Sequence, residues 1–241
     1  MNRLLKIRDK LLIFALVLAL GGQWACRSVQ SGQAQNGEAL EPHKVARKRQ
    51  IAPLFGAEHA DWLTRADRDA TEQPEKVLDA LKIPEGATVA DVGAGVGYFT
   101  WRLAKRVGPK GRVIAEELQP KMLELLAENL KKREITNVEP VLGTKSDPRL
   151  PEGALDLALL VDVYHEFAEP EAMISHIRRA LKPGGRLVLI EYRKEDPSIP
   201  IQPLHRMSAA EVRGEIEPVG FRFQQAMEFL PQQHILIFSR Q

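Results

Sequence analysis

The chain has 241 residues, of which 44% are hydrophobic and 27% charged, and its formal net charge is +2. This composition is typical of globular proteins and allows one large domain or two small ones. A charge so close to neutral gives no electrostatic basis for nucleic-acid binding, so no nucleic-acid partner is expected. Its single cysteine, Cys26, excludes a disulfide or a multi-cysteine zinc site within these residues.

Residues 1–26 have the pattern of a targeting segment. Four basic residues in MNRLLKIRDK precede the apolar run LLIFALVLAL, and small residues follow as far as Cys26. The run is shorter than the about 20 residues that span a bilayer, so we predict a signal peptide or a membrane anchor. Cys26 stands where a bacterial lipoprotein is lipidated, although Gln23 replaces the leucine usual three residues earlier. Lipidation, plain export, an uncleaved anchor and a cytoplasmic apolar helix stay open, and we expect a membrane-associated or exported protein.

Residues 27–50 are rich in glutamine, serine, glycine and charge, which predicts a flexible linker. From Ile51 onward apolar strands and amphipathic helices alternate. The expected strands are residues 88–91, 112–117, 138–142, 155–161 and 186–192, and the expected helices are residues 98–107, 120–131, 170–181 and about 208–217. Such alternation predicts a doubly wound α/β domain with a parallel sheet over residues 51–241.

The C-terminal end of the chain departs from this alternation. Residues 221–229 and 234–239 are both strand candidates, and only the turn LPQQ separates them. Because so short a connection joins antiparallel neighbours, we predict a C-terminal antiparallel hairpin.

A glycine-rich turn, in the stretch VADVGAGVGYFT, follows the first expected strand. Gly93, Gly95 and Gly97 let a ligand approach the backbone closely, and Asp91 at the strand end can accept a hydrogen bond from it. A dinucleotide-binding turn has its third glycine one residue later, where this chain has the bulky Tyr98. The spacing therefore disfavours a pyrophosphate at this turn, and with it an NAD-dependent oxidoreductase.

The spacing D-x-G-x-G-x-G resembles motif I of class I S-adenosylmethionine-dependent methyltransferases. Further stretches resemble later motifs of that family in the same order: the acidic pair Glu116-Glu117, then LGTKSDPRLPEGALDLALLVDVYHEF, then ALKPGGRLVLIEY. The resemblance covers roughly residues 74–241 and is closest to small-molecule methyltransferases of quinone biosynthesis. It implies a Rossmann-like seven-stranded sheet in the order 3-2-1-4-5-7-6, S-adenosylmethionine as cofactor and a small-molecule methyl acceptor.

The resemblance also implies the cofactor site. Glu117 aligns with the acid that contacts both ribose hydroxyls, and Leu118 and Met122 lie near the adenine. Asp147 is the expected partner of the adenine amino group, with Thr144 as the alternative. The implied cofactor-binding residues are Asp91, Gly93, Ala94, Gly95, Gly97, Tyr98, Glu117, Leu118, Met122, Asp147 and Asp162.

Methyl transfer from a sulfonium is an in-line displacement, so the protein must align the acceptor, exclude water and sometimes remove a proton. Polar residues that could do this follow the fourth and fifth strands and occupy the C-terminal loops. We predict His165 as the general base, because its pKa lies near working pH, and Glu191 as its orienting partner or as a contact for a cationic acceptor. The other predicted substrate-binding residues are Tyr164, Glu166, Tyr192, Arg193, His205 and His234.

Two alternatives to this interpretation stay open. A divalent metal held by the same histidines and glutamates lacks a spaced motif such as H-E-x-x-H, so no metal site is predicted. An export signal conflicts with a cofactor made in the cytoplasm, so an exported, inactive binding module of the same fold is the other alternative; the intact glycines and acids count against it. The sequence gives neither the acceptor nor the oligomeric state.

Overall fold

A computed structural model describes residues 49–241 of the protein. The predicted signal peptide or anchor, Cys26 and nearly all of the predicted linker lie outside the described residues. Within residues 49–241, none of the helices has the length and apolarity of a membrane span.

Strands and helices follow one another in the order expected from the sequence. The strands are β1 (Thr88–Val92), β2 (Arg112–Glu117), β3 (Val138–Leu142), β4 (Leu155–Val161), β5 (Leu181–Arg193), β6 (Arg206–Met207), β7 (Phe221–Met227) and β8 (Gln233–Arg240). The α-helices are α1 (Arg68–Glu72), α2 (Pro74–Leu81), α3 (Thr100–Val107), α4 (Pro120–Lys132), α5 (Pro170–Ala180) and α6 (Ala209–Ile216). Short 3-10 helices span Ala57–Thr64, Tyr164–Glu166, Pro203–His205 and Glu217–Val219.

All eight strands belong to one sheet, in the order β3-β2-β1-β4-β5-β8-β7, with β6 paired to the end of β5. Strands β1 to β5 are parallel, whereas β8 runs antiparallel to both β5 and β7. The predicted order 3-2-1-4-5-7-6 and the predicted hairpin are therefore confirmed, once the extra two-residue strand β6 is counted.

Strand β4 shows how the sheet is covered on both faces. Ala158 and Leu160 belong to the core that α5 and α6 complete, whereas Leu157 and Leu159 belong to the core that α2 and α3 complete. All four side chains are at most 1% exposed. Because this part of the strand is buried on both faces, its sequence is continuously apolar from Leu157 to Val161 and lacks polar alternation.

Helix starts follow local signals in the sequence. Pro74, Pro120 and Pro170 each occupy the first turn of a helix, where a missing N–H leaves no hydrogen bond unmade. Helix α6 begins with a capping box in which Ser208 and Glu211 satisfy each other's backbone N–H groups. These signals hold the loops before each helix at defined positions.

Several predicted boundaries shift in the structure, and two of the shifts have a clear local cause. Strand β5 begins at Leu181 rather than at residue 186, because Pro183 favours extended backbone before it and Leu181 pairs with Leu155. Helix α3 begins at Thr100 rather than at Tyr98, because the glycine turn continues as far as Phe99. Both shifts leave the order of elements unchanged.

Ordered contacts begin before the predicted domain start. The Arg49 guanidinium donates to Glu215 at 2.9 Å and to the carbonyl oxygens of His165 and Tyr164 at 3.0 and 3.2 Å. The Ala52 N–H donates to the same His165 carbonyl at 3.1 Å. Residues 49–64, which we call the strap, are thus fastened beside the end of β4.

Candidate active site

A cavity of about 820 Å³ lies at the carboxyl ends of β1, β2, β4 and β5. Parallel strands bring these ends to one edge of the sheet, which is where ligands bind in open α/β sheets. The strap forms one wall of the cavity through residues 51–63. The predicted residues on its lining are Asp91, Gly93, Ala94, Gly95, Tyr98, Glu117, Leu118, Met122, Asp162, His165, Glu166, Tyr192 and His205.

The glycine turn has the left-handed backbone that only glycine adopts freely. The φ angles of Gly93, Gly95 and Gly97 are +72°, +54° and +85°. A Cβ atom on Gly93 would lie 2.4 Å from a methyl group of Val163, so this glycine lets the turn pass close to the end of β4. Gly97 packs against Leu126 of α4 and is not on the cavity lining. A glycine is therefore needed at this position for packing and not for ligand contact.

Two buried glutamates at the end of β2 brace this turn. Glu117 accepts hydrogen bonds from the N–H groups of Gly95 at 3.0 Å and Gln119 at 2.8 Å. Glu116 accepts from the Gly93 N–H at 3.3 Å. Burial, followed by the neighbouring Glu117 charge, raises the pKa of Glu116 to about 8, and burial also raises the pKa of Glu117. The Glu117 carboxylate is held in place at the cavity wall, as a ribose-binding acid must be.

Asp91 is buried at the end of β1 and accepts a hydrogen bond from the Thr100 hydroxyl at 2.6 Å. Burial raises its pKa to about 6, whereas the Thr100 hydrogen bond and the Arg68 charge pull that pKa down and Glu117 pushes it up. Asp91 therefore titrates close to neutral pH.

Asp162 directly follows β4 and has a φ angle of +50°, which is unusual for a residue with a side chain. Its Oδ2 atom accepts a hydrogen bond from Gln233 at 2.6 Å. Its Oδ1 atom is buried and has no hydrogen-bond partner among the described residues. A buried acceptor of this kind at the wall of a cavity fits a donor on a bound ligand.

Sequence reasoning missed a buried charged cluster that joins α1 to the cavity. Arg68 lines the cavity, donates to Glu72 at 2.9 Å and stacks on the Tyr98 ring at 3.9 Å. Arg65 donates to the same Glu72 carboxylate at 2.8 Å. The only signal in the sequence was the four-residue spacing of Arg68 and Glu72, which is also common on exposed helices.

At the other end of the cavity the structure pairs the two predicted catalytic residues. Nδ1 of His165 lies 2.6 Å from Oε2 of Glu191, and the other Glu191 oxygen accepts from the Tyr164 N–H at 2.9 Å. Burial lowers the pKa of His165, but the charge and hydrogen bond of Glu191, together with the charges of Glu166 and Asp162, outweigh burial and leave the pKa above its usual value. Nε2 of His165 lies 3.1 Å from Nδ1 of His205. Glu191 itself lies behind His165 and is fully buried.

The residue expected at the adenine amino group is not on the cavity lining. The Asp147 carboxylate is 43% exposed, accepts from the Arg149 N–H at 2.7 Å and lies 3.2 Å from His176. Thr144, the alternative, does line the cavity. Because the loop turns Asp147 outward, the geometry favours Thr144 for this contact.

Three predicted acceptor-side residues also lie away from the cavity. The Tyr164 hydroxyl donates to Glu215 at 2.8 Å and lines a second cavity of about 1420 Å³. Arg193 pairs with Glu228 at 2.8 Å and holds carbonyl groups of the turn after β7. His234 is buried in the sheet, within β8. Structural contacts occupy the side chains of Tyr164 and Arg193, whereas Nε2 of His234 is buried without a hydrogen-bond partner among the described residues. The structure brings none of the three side chains to the cavity.

Residues 89–185 match the family model described as "Methyltransferase domain". The crystal structure of a SAM-dependent methyltransferase from Aquifex aeolicus is 29% identical, covers 77% of this chain and 99% of its own, and has a TM-score of 0.74. The [4+2]-cyclase SpnF, 17% identical over 71% of this chain and 80% of its own with a TM-score of 0.61, shares the fold alone. The sheet order, the glycine turn and these matches define a class I S-adenosylmethionine-dependent methyltransferase domain, with S-adenosylmethionine as its indicated cofactor.

Within that class, the chain is similar to enzymes of quinone biosynthesis. The ubiquinone/menaquinone biosynthesis C-methyltransferase UbiE of Enterobacter sp. (strain 638) is 29% identical over 118 residues, which are 48% of this chain and 47% of that protein. An uncharacterized 37.1 kDa protein in transposon TN4556 of Streptomyces fradiae is 31% identical over 159 residues, 64% of this chain and 46% of that protein. The chain therefore spans about half the length of the curated relatives it matches.

Proposed function

We propose that this protein transfers a methyl group from S-adenosylmethionine to a small molecule bound in the same cavity. The observation that carries the proposal is one continuous cavity lined by Gly95 and Glu117 at one end and by His165 at the other. Its volume of about 820 Å³ lies within the range of roughly 300–1,000 Å³ typical of small-molecule sites. The comparisons give no support to the alternative of an inactive binding module.

The residues of the cavity fit the cofactor. The fixed Glu117 carboxylate suits the ribose hydroxyls, and Oδ1 of Asp162 is a buried acceptor without a partner within residues 49–241. Asp91 adds a carboxylate near the Arg68 guanidinium, which suits a ligand carrying an ammonium and a carboxylate. When bound, S-adenosylmethionine supplies an electrophilic methyl group on a sulfonium.

The acceptor end of the cavity supplies a proton acceptor and is bordered by the strap. Glu191 bonds to Nδ1 of His165, and this favours the tautomer in which Nε2, 3.1 Å from Nδ1 of His205, is unprotonated and can take a proton from the acceptor. The Phe55 N–H of the strap donates to Glu166 at 3.2 Å, so the strap covers this end. A covered site keeps the acceptor, rather than water, beside the reacting atom.

Calorimetric titration of the full chain tests the cofactor assignment. We expect S-adenosylmethionine and S-adenosylhomocysteine to bind with micromolar affinity and NAD not to bind. Binding of NAD, with no binding of the other two ligands, would contradict the cofactor assignment and indicate an NAD-dependent oxidoreductase.

The pH dependence of cofactor binding tests the role of Asp91. Because the pKa of Asp91 is about 6, its carboxylate is charged above that pH and protonated below it. We expect affinity for S-adenosylmethionine to fall as the pH drops through about 6, and Asp91→Asn to bind weakly with no such transition. Thr100→Val removes the hydrogen bond that lowers the Asp91 pKa, so its transition should lie at higher pH. If the pH midpoint of binding were the same in Thr100→Val as in the unchanged protein, Asp91 would not be the group that causes the pH dependence.

A histidine substitution tests the acceptor end. The relative UbiE is named for ubiquinone and menaquinone biosynthesis, so reduced benzoquinones and naphthoquinones are the acceptors to assay first, by transfer of labelled methyl groups. We expect His165→Ala to slow transfer by about 10²–10⁴-fold while cofactor affinity stays near normal, because general-base catalysis has this magnitude. His176→Ala, which changes a partly exposed histidine of α5, is the matched control. Unchanged turnover in His165→Ala would remove His165 from the mechanism.

We also propose that residues 1–26 attach the chain to a membrane or direct its export. The basic residues followed by an apolar run and Cys26 support this proposal. Cell fractionation of the full chain and of Cys26→Ser, with mass analysis of the N-terminus, distinguishes lipidation from cleavage and from an uncleaved anchor.

A further inference from the structure

We propose that His165, Glu166 and His205 form a binding site for a divalent transition-metal ion of the zinc type. We call these three residues the His–Glu–His cluster. It lies at the acceptor end of the cavity, where the 3-10 helices Tyr164–Glu166 and Pro203–His205 meet. The proposal goes beyond methyl transfer, and its test needs no turnover.

The spacing of the three ligand atoms matches the size of a zinc-type ion. Nε2 of His165 lies 3.1 Å from Nδ1 of His205 and 3.8 Å from Oε1 of Glu166, and the last two atoms are 3.7 Å apart. A point equidistant from three atoms with these separations lies about 2.1 Å from each. Zinc binds histidine nitrogen and carboxylate oxygen at about 2.0–2.2 Å, so these separations match one ion bound by all three atoms.

Separate hydrogen bonds orient two of the ligands, His165 and Glu166. Nδ1 of His165 is bonded to Glu191 at 2.6 Å, which leaves Nε2 for an ion, as in the carboxylate–histidine–metal arrangement of known sites. Oε2 of Glu166 accepts from the Phe55 N–H at 3.2 Å, which leaves Oε1 facing the histidines. A hydrogen bond between the two histidines would not by itself require Oε1 of Glu166 to lie near both ring nitrogens.

The three ligands select a class of ion and leave one side of the site open. Two nitrogens and one oxygen suit Zn²⁺, Co²⁺ or Ni²⁺, whereas Ca²⁺ and Mg²⁺ prefer oxygen ligands. Three protein ligands leave a position free, as in catalytic rather than structural zinc sites, and that side borders the cavity. An oxygen of water or of a bound acceptor would complete the coordination.

The ion would change the chemistry of the acceptor end. Nε2 of His165 cannot bind an ion and accept a proton at once, so the ion-free and ion-loaded proteins are chemically distinct states. In the loaded state the ion itself would lower the pKa of a coordinated hydroxyl group. No local sequence motif marks the cluster, because His205 lies 40 residues from His165.

The test is metal titration of the full, tag-free chain after removal of metals with a chelator. We expect one equivalent of Zn²⁺ to bind with micromolar or tighter affinity, and Co²⁺ to give the visible absorption of a low-coordinate complex. His205→Gln and Glu166→Gln should each weaken Zn²⁺ binding at least tenfold, and Glu191→Gln should weaken it by about 10–100-fold. His176→Ala, outside the cluster, should leave it unchanged.

Two results would overturn the proposal. One is the absence of stoichiometric Zn²⁺ binding, which would make the cluster a hydrogen-bonded histidine pair. The other is Zn²⁺ binding that survives both His205→Gln and Glu166→Gln, which would place the ion elsewhere. Titration of the same variants with S-adenosylhomocysteine shows that the cavity is intact, so failure of the metal site is distinguishable from failure of the cofactor assignment.

Discussion

Replacing Gly95 with arginine is expected to abolish binding of S-adenosylmethionine while the domain stays folded. Gly95 has a φ angle of +54° and lines the cavity, and its N–H donates to the Glu117 carboxylate. A Cβ atom there would lie 3.1 Å from Leu63 of the strap, so a long side chain would occupy the space of the ligand. We expect at least a 100-fold loss of affinity, or about 2.7 kcal/mol.

Gly153→Arg is the matched control for this substitution. Gly153 has a φ angle of +63°, and no atom lies within 4 Å of the position that its Cβ would take. Backbone strain is therefore similar in the two variants, but only Gly95→Arg fills the cavity. Calorimetric titration and thermal unfolding measure both properties. If Gly95→Arg bound the cofactor normally, the glycine turn would not be the cofactor site.

Replacing Glu191 with alanine is expected to lower the free energy of unfolding by about 3 kcal/mol at neutral pH. Glu191 is fully buried, and its two oxygens satisfy Nδ1 of His165 and the N–H of Tyr164. Its removal leaves a cavity and two buried donors without partners, each of which costs about 1–3 kcal/mol. Urea unfolding of the full chain measures the loss.

Two further variants separate the hydrogen bonds from other effects of removing Glu191. Glu191→Gln keeps the size of the side chain and one acceptor oxygen, so its loss should be intermediate. Glu128→Ala changes an exposed glutamate on α4 and should alter stability by no more than about 0.5 kcal/mol. Equal stability of Glu191→Ala and Glu128→Ala would contradict the structural role of Glu191.

The fold was predictable because its signals are local. Strands β2, β3 and β4 have the bounds that the apolar pattern gives, and prolines mark the starts of α4 and α5. Strand β6 was not predictable, since its two residues become a strand only by pairing with β5. An apolar pattern fixes which elements form, but it carries no information on a pairing this short.

The candidate site was predictable where a residue lies at the end of a strand or a few residues after it. Asp91, Glu117 and His165 all reach the cavity because the parallel strands end at one edge. Arg68 was missed because α1 reaches the cavity only through tertiary packing. Loop residues such as Asp147 were harder, because the local hydrogen bonds of a loop decide whether a side chain faces inward or outward.

The hydrogen bonds of Arg49 have a practical consequence for shortened forms of the protein. A fragment that starts at Ile51, where the sequence suggests the domain begins, would lose the contacts of Arg49 with Glu215 and with the backbone beside His165. The truncation would thus weaken the attachment of the strap, which forms one wall of the cavity. Weak ligand binding by such a fragment would result from the lost Arg49 contacts and not from the chemistry of the site. Shortened forms of the protein should therefore begin upstream of Arg49.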